Sequence, residues 1–202
     1  MAVILDITIS LDGYVTAPNA GPGNGLGDDG LSLHEWAIGG HRTPQDVQVL
    51  ATGAGVTGAV IMGRHLFDVV DAPDGWNDDR HYGADQGDAA NPPPCFVVTH
   101  RAPDHVRLTD RMTIVTTGLG DALDQARAAA GDKDVVIMGG GELGGSALRE
   151  AVIDRLHLHV APLVLGAGTP LFHGGPRLTL RLDESMTVVT RNAAHLYYDV
   201  VR

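Results

Sequence analysis

One stretch constrains the fold of this chain more than any other: Val135-Val136-Ile137-Met138 runs directly into Gly139-Gly140-Gly141-Glu142-Leu143-Gly144. A short apolar run closed by glycine reads as a strand buried on both faces, and the residues after the glycines read as a helix reaching about Ala151. A doubly buried strand belongs to a sheet covered by helices, in which parallel neighbours are joined by crossovers. The turn has a chemical consequence as well. The first N–H groups of a helix lack intrahelical partners, the helix dipole favours negative charge there, and glycine lets the backbone approach a pyrophosphate. Without a ligand, the same residues make only a tight strand–helix connection.

The rest of the chain repeats the alternation and then abandons it. Val3–Ile9 reads as a first strand, apolar and then alternating through Leu5-Asp6-Ile7-Thr8-Ile9, and a long Gly- and Pro-rich loop spans Thr16–Gly30. Thr43-Pro44-Gln45-Asp46 carries the signature of a helix start, with Thr43 as N-cap and Pro44 in the first helical position. Strand Ala59–Met62, helix Arg64–Val70, strand Cys95–Thr99, strand Met112–Thr116 and helix Asp121–Ala130, capped by Gly131, follow in turn. Asp71–Pro94 reads as a solvated insertion. Its aspartates are too irregularly spaced for a calcium loop. After Ala151 only strands remain: Leu156–Leu165, Leu178–Leu182, Thr187–Thr190 and Leu196–Val201. The pattern predicts an α/β fold over 1–202 as one domain, with a mixed, mostly parallel central sheet, helices on both faces and antiparallel C-terminal strands.

Composition narrows the partners. A formal charge of −11 argues against nucleic acid and against an anionic membrane surface, both of which need a basic face. No run of 18 apolar residues exists to span a bilayer, and MAVILDITISLDG has an aspartate in its apolar stretch and no basic start, so it reads as a strand rather than a signal peptide. The single cysteine, Cys95, excludes an intramolecular disulfide and suits a reducing cytoplasm. On so acidic a chain, arginines beside glycine turns become informative. Two such places exist. Met62-Gly63-Arg64-His65 ends a strand on glycine and opens a helix on arginine, and Thr99-His100-Arg101 closes the buried strand Phe96-Val97-Val98. Guanidinium forks match phosphate geometry, so Arg64 and Arg101 together suit a ribose 2′-phosphate if their strands are neighbours. The glycine turn also matches G-x-G-x-x-G. The Rossmann reading fails because the next strand, Leu156–Pro162, carries no carboxylate to hold a ribose.

Those three segments, in that order, resemble the cofactor-contacting segments of the dihydrofolate reductase fold. Ser10-Leu11-Asp12-Gly13, the late stretch Leu165–Phe172 and His34-Glu35-Trp36 are similar to the branch that contains the reductase domain of bacterial riboflavin biosynthesis, and the likeness covers nearly the whole chain except Asp71–Pro94. The resemblance implies an enzyme, an NADPH-dependent oxidoreductase that passes hydride to a small conjugated heterocycle, pterin-like or pyrimidine-like. A noncatalytic dinucleotide- or ligand-binding protein on the same fold is the alternative. It also implies roles: phosphates at Gly63, Arg64 and His65, the 2′-phosphoryl adenosine end at Thr99, His100 and Arg101, and the pyrophosphate and nicotinamide side at Gly139, Gly140, Gly141, Glu142 and Leu143, with a cis Gly139–Gly140 peptide. The sequence departs from the riboflavin-pathway pattern at Tyr14, where a basic residue is usual.

Reducing a C=N bond also needs a proton. Asp12, Glu35 and Asp46 are the candidate donors, although Asp12 also reads as a turn stabiliser and Asp46 as the third helical residue of a capping box. Tyr14 and Trp36 are candidates to stack on a flat ring or to pack the loop. His157 and His159 alternate along a strand and show no third metal ligand, so they read as sheet-surface or dimer-interface residues and no metal is expected. The long apolar strand Leu156–Leu165 and the segment Pro170-Leu171-Phe172 point to a homodimer built from the C-terminal strands.

Overall fold

A computed structural model describes residues 1–21, 23–84 and 92–202. The strands are β1 (Val3–Ser10), β2 (Tyr14–Thr16), β3 (Thr57–Gly63), β4 (Cys95–Val98), β5 (Met112–Val115), β6 (Asp134–Gly139), β7 (Arg155–Ala161), β8 (Thr169–Pro170), β9 (Thr179–Leu182), β10 (Val188–Val189) and β11 (Ala194–Val201). The helices are α1 (Glu35–Ile38), preceded by a 3-10 turn at Gly30–His34, then α2 (Pro44–Val56), α3 (Arg64–Val70), α4 (Leu119–Ala130) and α5 (Gly141–Arg149). The main sheet runs β10-β11-β7-β1-β6-β3-β4-β5, with β9 also on β11. Every pair from β7 across to β5 is parallel, while β11 is antiparallel to β7, β9 and β10. This is the mixed sheet expected from the alternation.

Alternation of side chains along each strand divides the interior in two. Leu5, Ile7 and Ile9 of β1 join Ile61, Ile137, Leu156 and the apolar faces of α4 and α5 in one large core. Val60, Met62, Cys95 and Val97 turn to the other face, where Phe67 and Val70 of α3 cover them. Trp36, Val49 of α2 and Ala193 form a third cluster. The expected helix start at Thr43 is a complete capping box: Thr43 Oγ1 accepts from the Asp46 N–H, and the Asp46 carboxylate accepts from the Thr43 N–H.

Three expectations change. Leu156–Leu165 is not one long strand: β7 ends at Ala161, before Pro162, whose missing N–H cannot extend a ladder. The loop expected over Thr16–Gly30 starts inside a strand, since β2 pairs with β8 in a two-stranded ribbon. The described part of 71–94 is not merely solvated. Trp76 and Tyr82 pack on the second core, and Arg107 ties the segment down by donating to the carbonyls of Val70, Asp71 and Trp76. Asp85 and Asp88, part of the aspartate pattern, lie outside the described residues. Among the described residues no helix is long and apolar enough to cross a membrane.

Candidate functional site

Because β6, β3, β4 and β5 are parallel, their carboxyl ends lie along one edge of the sheet, where open α/β sheets bind ligands. A cleft of about 1770 Å³ takes in that edge and runs on across the sheet to Asp134 and Arg155 at the strand starts. Gly63, Arg64 and His65 line it after β3, Thr99, His100 and Arg101 after β4, and Gly139, Gly140, Gly141, Glu142 and Leu143 after β6. All eleven residues expected to meet a dinucleotide therefore line this one cleft. Arg64 and Arg101 are neighbours as well. The Arg64 Nη1 donates to the Arg101 carbonyl at 3.1 Å, and Thr99 Oγ1 donates to the same carbonyl at 2.9 Å. Arg64 is shared with Asp68 at 2.7 Å, whereas Arg101 has only a 3.7 Å contact to Asp104 and is 85% exposed.

The three glycines of the turn are glycine for different reasons. Gly139 has φ +111°, which side chains rarely adopt. A Cβ on Gly141 would lie 2.5 Å from Val15 Cγ2 and 2.7 Å from Thr169 Cγ2, so the β2–β8 ribbon leaves no space for one. Gly140 has neither reason. Its φ is −72° and ψ −171°, open to any residue, and a Cβ there would have no heavy atom within 4 Å. Its neighbour is space, and that space is the cleft. The Gly139–Gly140 peptide is cis, as the resemblance implies.

Helix termini around the cleft differ from the one remote from it. The capping box closes α2, but α3, α4 and α5 start from Gly63, Gly118 and Gly140 with no side-chain cap. Uncapped first-turn N–H groups are donors for an anion. On a chain of charge −11, these donors and the two guanidinium groups supply the local positive potential a phosphorylated ligand needs.

The candidate proton donors are placed elsewhere, which corrects the expectation. None of Asp12, Glu35 and Asp46 lines the cleft. Asp12 takes hydrogen bonds from Ser10 Oγ at 2.6 Å and from the N–H groups of Leu165 and Gly166, fastening the turn after β1 to the loop after β7. The Ser10 bond leads, outweighing the cost of desolvation, and the two N–H bonds add to it, so its carboxyl is pulled down to about 2. Glu35 is exposed at the start of α1. Asp46 is fully buried and saturated: besides Thr43, it accepts from Thr190 Oγ1 at 2.8 Å and Asn192 Nδ2 at 2.8 Å, and His195 Nε2 lies 3.2 Å away. Tyr14 also stays off the cleft wall, paired with Pro170 across the ribbon. Trp36 does reach the cleft, but its ring is 4% exposed, lies over His159 with centroids 4.2 Å apart and donates to Thr8 Oγ1.

What the sequence reasoning missed is the sheet face beneath α2. There the cleft is lined by Asp6 and Thr8 of β1 and by His157 and His159 of β7. The two histidines are not surface residues: both rings contact the Asp6 carboxylate, and the His159 side chain is 3% exposed. The available signal was Asp6 itself, an acid in the middle of an apolar strand.

The RibD C-terminal domain family matches residues 1–194. No curated protein matches the chain. Among solved structures, a protein of Shewanella sp. PV-4 named for riboflavin biosynthesis is 22% identical with a TM-score of 0.72, over the whole of both chains. RibD of Acinetobacter baumannii is 20% identical with a TM-score of 0.62, and the chain spans 58% of its length. A pyrimidine reductase-like protein of Corynebacterium diphtheriae is 17% identical with a TM-score of 0.59, over 99% of this chain and 91% of that one. At these identities the likeness is one of fold.

Proposed function

The chain belongs to the RibD C-terminal domain family, and from that premise we propose that it is an NADPH-dependent reductase of a small, flat heterocycle of pyrimidine or pterin type. The observation that carries this reading is Gly140: neither its φ nor the side chains and backbone around the turn call for glycine there, and a dinucleotide approaching the turn does. Gly63 and the α5 N-terminus would hold the pyrophosphate, and Arg64 and Arg101 the 2′-phosphate of the adenosine end. A bound reduced nicotinamide supplies the hydride. The same cleft takes in Met138, Asp6 and Thr8, which would give a flat substrate a polar wall. A noncatalytic binding protein remains a second reading, favoured by the absence of Asp12, Glu35 and Asp46 from the cleft. Oxidation of NADPH against a panel of pterins, pyrimidines and quinonoid compounds separates the two: no turnover with any acceptor favours binding alone.

NADPH is expected to bind more tightly than NADH. Arg101→Ala, which removes a side chain that is 85% exposed, should weaken NADPH about tenfold and leave NADH unchanged. Equal affinity of the unmutated protein for both dinucleotides refutes the assignment.

We also propose a homodimer, on a narrower surface than the strand pattern suggested. Leu156, Leu158 and Leu171 are taken up by the chain's own core, and β7 lies between β1 and β11. Val164, Phe172 and Val189 remain 71%, 54% and 73% exposed. Light scattering at micromolar concentration should give twice the mass of the chain. The mass of one chain throughout a dilution series would end the proposal.

A further inference from the structure

β1, β7 and β11 are adjacent strands, and their register gathers a chain of polar groups on the sheet face opposite the large core. Asp6 stands opposite His157, and His159 opposite His195. His157 Nδ1 lies 3.4 Å from Asp6 Oδ2, and His159 Nε2 lies 3.0 Å from Asp6 Oδ1. Beyond it, His159 Nδ1 is 2.8 Å from His195 Nδ1, and His195 Nε2 is 3.2 Å from Asp46 Oδ1. His159 and His195 have 3% and 0% of their side chains exposed, and Trp36 packs against both rings.

Asp6, His159, His195 and Asp46 are joined by three contacts at hydrogen-bond distance, and each contact needs one proton. Ionised carboxylates only accept, so both Nε2 atoms must donate outward to the acids. The Nδ1–Nδ1 contact then needs a third proton, while two neutral imidazoles carry two. Burial would raise both acids, but other groups outweigh it. Asp6 is held well below the carboxylate range by the charge of His159 and by hydrogen bonds from His157 and His159. Asp46 is held down by the Thr43 N–H, Asn192, Thr190 and His195. The third proton therefore resides on the imidazoles. Burial and the charge of His159 pull His195 down, which argues against a second extra proton on the pair.

Among the described residues, Arg155 and Asp199, one step along the same face, are paired with each other. Burial, and then the field of Asp6, keep Tyr197 on β11 and Tyr82 of the 71–84 segment protonated. His34, in the 3-10 turn, is drawn down to about 4 by burial and by His159, and its Nδ1 has no partner among the described residues.

Among the described residues of this polar chain, Asp6 is the most open to the cleft. Asp6 is 27% exposed and lines the cleft. Leu5 pairs with Ile137, so the next residues along, Asp6 and Met138, both line the cleft one position before the Gly139–Gly140 turn. Resting on the reading of the cleft as a reduced-nicotinamide site, we propose that Asp6 is the catalytic acid of this reductase and that the His159–His195 pair stores the proton it delivers. As hydride arrives at the carbon of a C=N bond, the π electron pair moves to nitrogen. The His159 Nε2–H bond breaks and Asp6 Oδ1–H forms, then Asp6 Oδ1–H breaks and the substrate N–H forms. His159 is left neutral, donating Nδ1–H to His195, and solvent returns the proton. His157 holds Oδ2 and so orients the carboxylate. His159, His195 and Asp46 act as positioning residues.

Nitrogen-15 spectra of the histidine rings in the full chain test the store without any ligand. At pH 7 one of His159 and His195 should be doubly protonated in the unmutated protein, and two neutral rings would overturn the proposal. Delivery is tested by Asp6→Asn, which keeps the shape but not the acid. It should leave NADPH affinity within about twofold and lower turnover of any acceptor found in the pterin and pyrimidine panel by about a hundredfold. Undiminished turnover also overturns the proposal. His195→Gln should move the alkaline limb of the kcat profile to lower pH, because the imidazolium then loses its link to Asp46. An unmoved limb removes the storage role. Failure of the unmutated chain to bind NADPH counts against the proposed function, and the ring spectra still decide the stored proton.

Discussion

Asp46→Ala is expected to cost about 3–5 kcal/mol of folding stability, the range for removing one partner from a buried ionic group. The side chain is fully buried, and four separate groups converge on its two oxygens. Removing it does three things at once. It opens the capping box of α2, leaves the Thr43 N–H without its acceptor and takes one of two acceptors from the Asn192 amide, and strips buried His195 Nε2 of its partner. Asn192 and Thr190 organise the turn between β10 and β11, so the damage extends from the helix start to the C-terminal strands. In urea titrations the midpoint should fall with an unchanged slope, since the surface exposed on unfolding is the same. The pH dependence has a definite sign. The folded-state carboxyl is held below its unfolded value, so the stabilisation is present above the unfolded value near 4 and is lost as pH falls toward the folded one. The gap between the two proteins should therefore narrow in acid. A loss below about 1 kcal/mol at pH 7 would mean that Asp46 is a simple cap.

The capping box was legible because it is local: Thr43, Pro44 and Asp46 lie within four residues of one another. Its other half was not, because Thr190, Asn192 and His195 reach Asp46 across a sequence separation of 144 to 149 residues. The same distinction runs through the molecule. Strand ends and helix starts around Gly63, Thr99 and Gly139 could be read because each glycine or arginine stands next to the strand it terminates. That Arg64 and Arg101 touch follows from β3 pairing with β4, which periodicity does not state. The β2–β8 ribbon escaped because strands of three and two residues have no period to detect. Asp6, His157 and His159 were visible singly, with the two histidines correctly placed on one side of a strand. Their meaning depends on β1 lying beside β7, and that adjacency turned expected surface residues into a buried chain.

Gly140→Val should abolish useful NADPH binding while leaving the fold intact, and the separation of these two effects is the point of the substitution. Valine at Gly139 would be forced into a left-handed backbone conformation, and valine at Gly141 would collide with Val15 and Thr169, so either loss of binding could be a loss of structure. At Gly140 φ and ψ are those of extended backbone, and beyond its chain neighbours the first side-chain atom meets nothing within 4 Å. The isopropyl group therefore projects into space that belongs to a ligand. Displacing a pyrophosphate or nicotinamide from contact with the α5 N-terminus forfeits several hydrogen bonds from backbone N–H groups, and a hundredfold to thousandfold loss of affinity corresponds to about 3–4 kcal/mol. Gly140→Ala should fall between the two, since one methyl takes up part of the same space. The thermal midpoints of both variants should stay within a few degrees of the unmutated protein. Dinucleotide fluorescence titrations give the affinities. A Gly140→Val protein that folds normally and binds NADPH as tightly as the parent would show that no dinucleotide lies against this turn.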